Sequence, residues 1–148
     1  MRAPPPTTPA APATPAAPYR VYEPHCGVSA CVFASPHSGR HYPPDFLALS
    51  RLALGMLRRS EDSFVDELFA ATPEAGAPLV AATYPRAYID TNRAPYELDP
   101  AMFDQPLPPY ADTDSERVAG GLGTIPRTVG AGLDIYERPL PLAEGLAR

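Results

Sequence analysis

What the chain lacks narrows it first. Its 12 positive charges are all arginine, with no lysine; compositional bias explains that as readily as chemistry, so nothing functional is read from it. No stretch approaches the roughly 20 apolar residues of a membrane-spanning helix, so no membrane partner is expected. The net charge of −5, with no basic patch and no interleaving of aromatics and arginines, argues against a nucleic-acid partner. Cys26 and Cys31 stand five apart, without the Cys-x-x-Cys spacing of a redox or zinc-ribbon motif. No disulfide scaffold is expected, and Cys31, inside an apolar run, reads as a small buried hydrophobe. There is no apolar secretory segment, and a single Arg2 is too little for a transit peptide. The expectation is a soluble, cytoplasmic protein with a small-molecule partner.

What is present divides unevenly. Residues 1–18 hold seven of the 22 prolines and six alanines, a composition predicting an extended, disordered tail. Residues 19–148 are expected to form one domain. Tyr19-Arg20-Val21-Tyr22 reads as a short strand or an extended lead-in, and residues 28–34 as a buried, central parallel strand. Pro43-Pro44-Asp45 opens a predicted helix with Phe46, Leu49, Leu52, Ala53, Met56 and Leu57 at helical spacing. A second helix is predicted from an N-cap at Ser60, with Phe64, Val65, Leu68 and Phe69 on one buried face. Pro78-Leu79-Val80-Ala81-Ala82 reads as another buried strand. Residues 94–117, with five prolines and six acidic residues, read as a long surface loop of the lid or binding kind. Residues 118–126 read as a glycine-rich strand or turn, a weak phosphate signal without a GK[ST] or a following helix. From residue 139 the chain reads as the first turns of a helix. The order strand, helix, helix, strand predicts an α/β class.

Three groups of residues carry candidate chemistry. Ser35-Pro36-His37-Ser38-Gly39 puts an imidazole at the carboxyl end of a strand, where ligands collect in open α/β sheets; the plain alternative is a surface histidine. Glu61 and Asp62 suit a helix first turn through the dipole alone. Glu61 nevertheless falls in the middle of the predicted apolar face, where a carboxylate needs a metal or an arginine to meet it. Pro85-Arg86-Ala87-Tyr88-Ile89-Asp90-Thr91-Asn92-Arg93 offers two guanidinium forks able to grip a carboxylate, or simply an Arg–Asp pair tying a strand end to its neighbour. Continued as a strand, it would point Arg86, Tyr88 and Asp90 one way and Ala87 and Ile89 the other.

These motifs, followed by Gly121-Leu122-Gly123-Thr124-Ile125-Pro126-Arg127, resemble in order and spacing the N-formylglutamate amidohydrolase family over about residues 28 to 146. The resemblance implies a partial mixed sheet flanked by helices, zinc-exopeptidase-like (phosphorylase/hydrolase-like) and truncated at the C-terminus, related to zinc carboxypeptidases and aspartoacylases. It implies zinc-dependent cleavage of N-formyl-L-glutamate to formate and L-glutamate in histidine degradation. His37 would be a zinc ligand, with Glu61 or else Asp62 as the carboxylate ligand. Asn92 and Arg93 would hold a substrate carboxylate. Arg86 would assist on a second carboxylate or at the oxyanion, and Arg86 and Glu61 are the catalytic candidates. The family pattern implies a later histidine to complete the metal site, in an Asp-x-His-Ser segment that this sequence does not contain. Neither His25 nor His41 stands at a matching place. The expected reading is the amino-terminal part of a longer hydrolase; the alternatives are a non-catalytic remnant that binds an acidic amino acid, or a hydrolase of another N-acyl acid.

Overall fold

The computed structural model describes residues 16–27, 29–130 and 132–148. The predicted tail falls outside the described residues as far as residue 15, and so does the first residue of the run 28–34. The central strand is β3 (Leu79–Ala82), on which β1 (Tyr19–Tyr22) lies antiparallel, with Tyr22 opposite Leu79. On its other side β2 (Phe33–Ser35) runs parallel, with Ser35 opposite Ala81. Buried Leu79 and Ala81 alternate with half-buried Val80 and Ala82, as pleating requires of a strand covered on one side. A parallel pair cannot be joined by a hairpin, so residues 36–78 form the crossover and carry three short helices. Parallel register also brings both strands to their carboxyl ends at the same edge. The loops after Ser35 and after Ala82 therefore emerge side by side.

Among the described residues the crossover departs from the predicted pair of helices. Helix α1 (Pro44–Leu49) stops at Ser50, whose hydroxyl accepts from Leu52 N at 3.0 Å and whose backbone bridges to Tyr136. A serine that offers the backbone a local partner competes with helix continuation, and α2 (Leu54–Leu57) begins only after it. Of the predicted face, Phe46 and Leu57 are buried, whereas Ala53 is exposed. Ser60 caps no helix; its hydroxyl donates to Leu57 O at 2.9 Å. Helix α3 (Val65–Leu68) starts instead from Phe64, held at φ 65°. That left-handed residue resets the direction of the chain, so a helical wheel drawn from Ser60 does not apply. Phe64, Leu68 and Phe69 are exposed, not buried. Cys31 is exposed as well, because only residues 33–35 of its run join the sheet.

Two apolar clusters fill the domain. The first gathers Phe46, Leu57, Ala87, Val129 and Ile135. Arg148 closes over it, with its guanidinium 4.5 Å from the Tyr88 ring centre and bonded to Tyr136 Oη at 2.7 Å. The second gathers Leu98, Met102, Phe103, Ile125 and Leu140. Three of those five lie in the segment predicted to be a surface loop. Its irregular backbone is satisfied locally: Asp99 caps a 3-10 turn at residues 100–102, and Ser115 caps α4 (Glu116–Ala119). A short hairpin of β4 (Thr128–Val129) and β5 (Leu133–Asp134) and a last helix, α5 (Leu142–Leu146), complete the α/β fold. Among the described residues no helix is long and apolar enough to cross a membrane.

Candidate active site

The loop after β2 is built to hold one ring. Ser35 Oγ donates to Ser38 Oγ at 2.7 Å within the turn. Thr91 Oγ1 donates to Pro36 O at 3.2 Å, and Asp62 N donates to His37 O at 3.0 Å, so neighbouring segments grip the loop from both sides. Gly39 lies directly on the carbonyl of Tyr84, where a Cβ would collide. Held this way, His37 is buried, with Nε2 2.8 Å from Asp90 Oδ1 and Nδ1 3.2 Å from Asp62 Oδ2.

Asp90 reaches that position because the chain after Ala82 is not the extended continuation expected. Pro85 O accepts from Tyr88 N at 2.9 Å and from Ile89 N at 3.2 Å, which makes residues 85–89 a single helical turn. Residues four apart share a face of such a turn. Arg86 Nε therefore meets Asp90 Oδ2 at 3.0 Å, and Tyr88 turns away into the first cluster. The fully buried Asp90 also accepts from Asn92 N at 3.0 Å and lies 3.5 Å from Arg93 Nε. Burial alone would raise its pKa. The hydrogen bonds from His37 and the Asn92 N–H, with the nearby guanidinium of Arg86, outweigh burial and hold the carboxyl below its ordinary range. Asp90 is the hub of the site. It was expected only as the acid of an Arg–Asp pair, which Arg86 does form with it, and not as the partner of His37.

The other candidates separate. Asp62, not Glu61, is the acid that faces His37. Glu61 accepts from Tyr42 Oη at 2.7 Å and from Arg58 Nε at 3.2 Å, so its buried carboxylate meets the cation it needed in an arginine. Burial, then the hydrogen bond to Glu61, pushes the Tyr42 phenol well up. Arg93 braces the backbone, donating to Leu122 O and Asn92 O at 3.0 Å each. Asn92 is exposed. Next to Asp62 a hollow of 230 Å³ is lined by Arg59, Glu61, Asp62, Arg86, Leu122 and Thr128, among others; neither His37 nor Arg93 lines it, and the imidazole meets it only through Asp62. It is smaller than the roughly 300–1,000 Å³ of drug-sized pockets, which suits a small metabolite.

The donor set suits a zinc ion as far as it goes. A nitrogen and a carboxylate oxygen face each other at His37 and Asp62, and such ligands are typical for zinc. A buried carboxylate on the far ring nitrogen is the partner that orients a ligating histidine. Asp90 is on the opposite ring nitrogen, and among the described residues no group of three or more His, Cys, Asp or Glu side chains is placed to hold a metal ion.

An α/β fold that holds an imidazole between two carboxylates at parallel strand ends, with one of those acids and an arginine lining a small hollow, has the layout of a ligand site of an α/β protein. A family model described as N-formylglutamate amidohydrolase matches residues 29–148, and the chain belongs to that family. A crystal structure of N-formylglutamate amidohydrolase from Ralstonia eutropha JMP134 is 40% identical, with a TM-score of 0.81 over 90% of this chain. The match covers 46% of that protein, so this chain spans about half the length of the solved relative. No curated protein matches the chain.

Proposed function

We propose that the chain carries the imidazole–carboxylate pair and the guanidinium anchor of a zinc-dependent amidohydrolase. The reaction is the hydrolysis of N-formyl-L-glutamate to formate and L-glutamate, a step of histidine degradation in the cytoplasm, on a zinc-exopeptidase-like sheet. The observation that supports it is His37 fixed between Asp62 and Asp90, with Asp62 and Arg86 lining one small hollow.

Each side chain has a physical task. Asp90 accepts the Nε2 proton of His37, which fixes the tautomer and leaves the Nδ1 lone pair directed at Asp62. His37 Nδ1 and Asp62 Oδ2 would hold zinc, which when bound supplies a Lewis acid and lowers the pKa of water toward about 7. Arg86, braced through Nε on Asp90, offers its remaining N–H groups to a substrate carboxylate or to the oxygen that gains charge as the formyl carbon is attacked. Arg93 positions Asn92 and the strand-end turn by clamping Leu122 O.

Calorimetry tests the reading: zinc should bind the chain, and His37→Ala or Asp62→Ala should weaken binding at least tenfold. In the complete enzyme, formate release should vanish with His37→Ala; turnover untouched by that change would remove the mechanism. The two-donor arrangement also favours a second reading, a chain that binds an acidic amino acid without turning it over. Glutamate binding with no zinc binding would select it.

A further inference from the structure

Two arginines line the hollow, and they are not the pair that the sequence motif suggests. Arg86 comes from the turn after β3, and Arg59 comes from the 3-10 turn at residues 58–60. Arg58, its neighbour, is tied to Glu61, and Arg93 is tied to the backbone. Among the described residues Arg59 has neither a hydrogen bond nor an ion pair with a side chain. A guanidinium without a carboxylate partner, lining the same small hollow as Arg86 and the imidazole's Asp62, is suited to a ligand's own negative charge. An amino acid with two carboxylates presents two such charges, and one arginine cannot make bidentate contact with both.

Resting on the function proposed above, we propose that Arg59 is the specificity-determining residue for the side-chain carboxylate of the ligand, while Arg86 serves the other acidic group. The chemical class selected is a short dicarboxylic amino acid; an isostere with a neutral amide end leaves Arg59 facing no charge. A site built to grip a charged group rejects the analogue lacking it.

The experiment is calorimetry of the full chain, in the presence of zinc, with L-glutamate and L-glutamine as probes. Wild type should prefer glutamate by roughly tenfold or more. Arg59→Gln should bring that preference close to unity with an unchanged thermal midpoint, since Arg59 is exposed, and Arg59→Lys should restore part of it. If Arg59→Gln leaves the preference intact while Arg86→Gln weakens both ligands, the assignment of Arg59 falls and the proposed function stands. If wild type binds neither probe, both fall together.

Discussion

The segment 97–103 and the segment 64–69 reverse the usual placement of polar and apolar groups. In the first, Glu97 and Asp99 are buried beside Leu98, Met102 and Phe103. Each acid has a dedicated partner: Glu97 accepts from Ser115 Oγ, and Asp99 accepts from Ala101 N at 2.9 Å and from Arg127 Nε at 2.8 Å. In the second, Phe64, Leu68 and Phe69 face outward, while Asp66 and Glu67 bind the Arg40 guanidinium at 2.8 Å each. Acids go inside where hydrogen-bond donors wait for them, and the apolar residues of the second segment stay outside, with only Arg40 over Phe64 and Phe33 against Phe69. Partner supply, more than side-chain polarity, decides placement in this small fold.

Asp90 is the extreme case of the first behaviour, so breaking it should do the most. Asp90→Ala leaves His37, Arg86 and Arg93 around an empty buried position and should cost on the order of 3–5 kcal/mol in denaturant unfolding; a loss below ~1 kcal/mol would mean that the hub is not a hub. The same group sets an acid limit. Its pKa is lower folded than unfolded, so its stabilisation is fully present above the ordinary carboxylate value and disappears as pH falls through the depressed folded value. Wild type should therefore lose stability below about pH 4 more steeply than Asp90→Asn, as read by thermal melts across pH. Asp99→Ala removes both a cap and the Arg127 contact, and should cost roughly 1–3 kcal/mol. Leu68→Ser, at a side chain 78% exposed, should change stability by less than about 0.5 kcal/mol. A large destabilisation there would show that the outward face is packed in solution, and the contrast would need redrawing.

The α/β class, β1, β3 and the loop after β2 were legible because short runs punctuated by proline and glycine fix them locally. The family followed from four motifs and is borne out by the match over residues 29–148. Other features depend on contacts that no local pattern records. Ser50 ends α1 through Leu52 and Tyr136, the latter 86 residues further on. Phe64 turns left-handed and discards the amphipathic wheel. The second core was hidden in a proline- and acid-rich stretch, because Leu98, Met102 and Phe103 show no period of their own. Asp90 was visible as half of an Arg–Asp pair but not as a hub: its contact with His37 spans 53 residues, and the apolar run before it suggested a strand where a helical turn forms.

The close approach of residue 39 to Tyr84 makes a void the ruler of this site. A methyl group placed there would wedge the two strand-end loops apart, and the imidazole would be carried off its acidic partner without any atom of either group being altered. All nineteen replacements at that position are therefore closed by sterics alone. The arrangement can be undone by a net gain of one carbon and two hydrogens more than 20 residues away in sequence from either carboxylate.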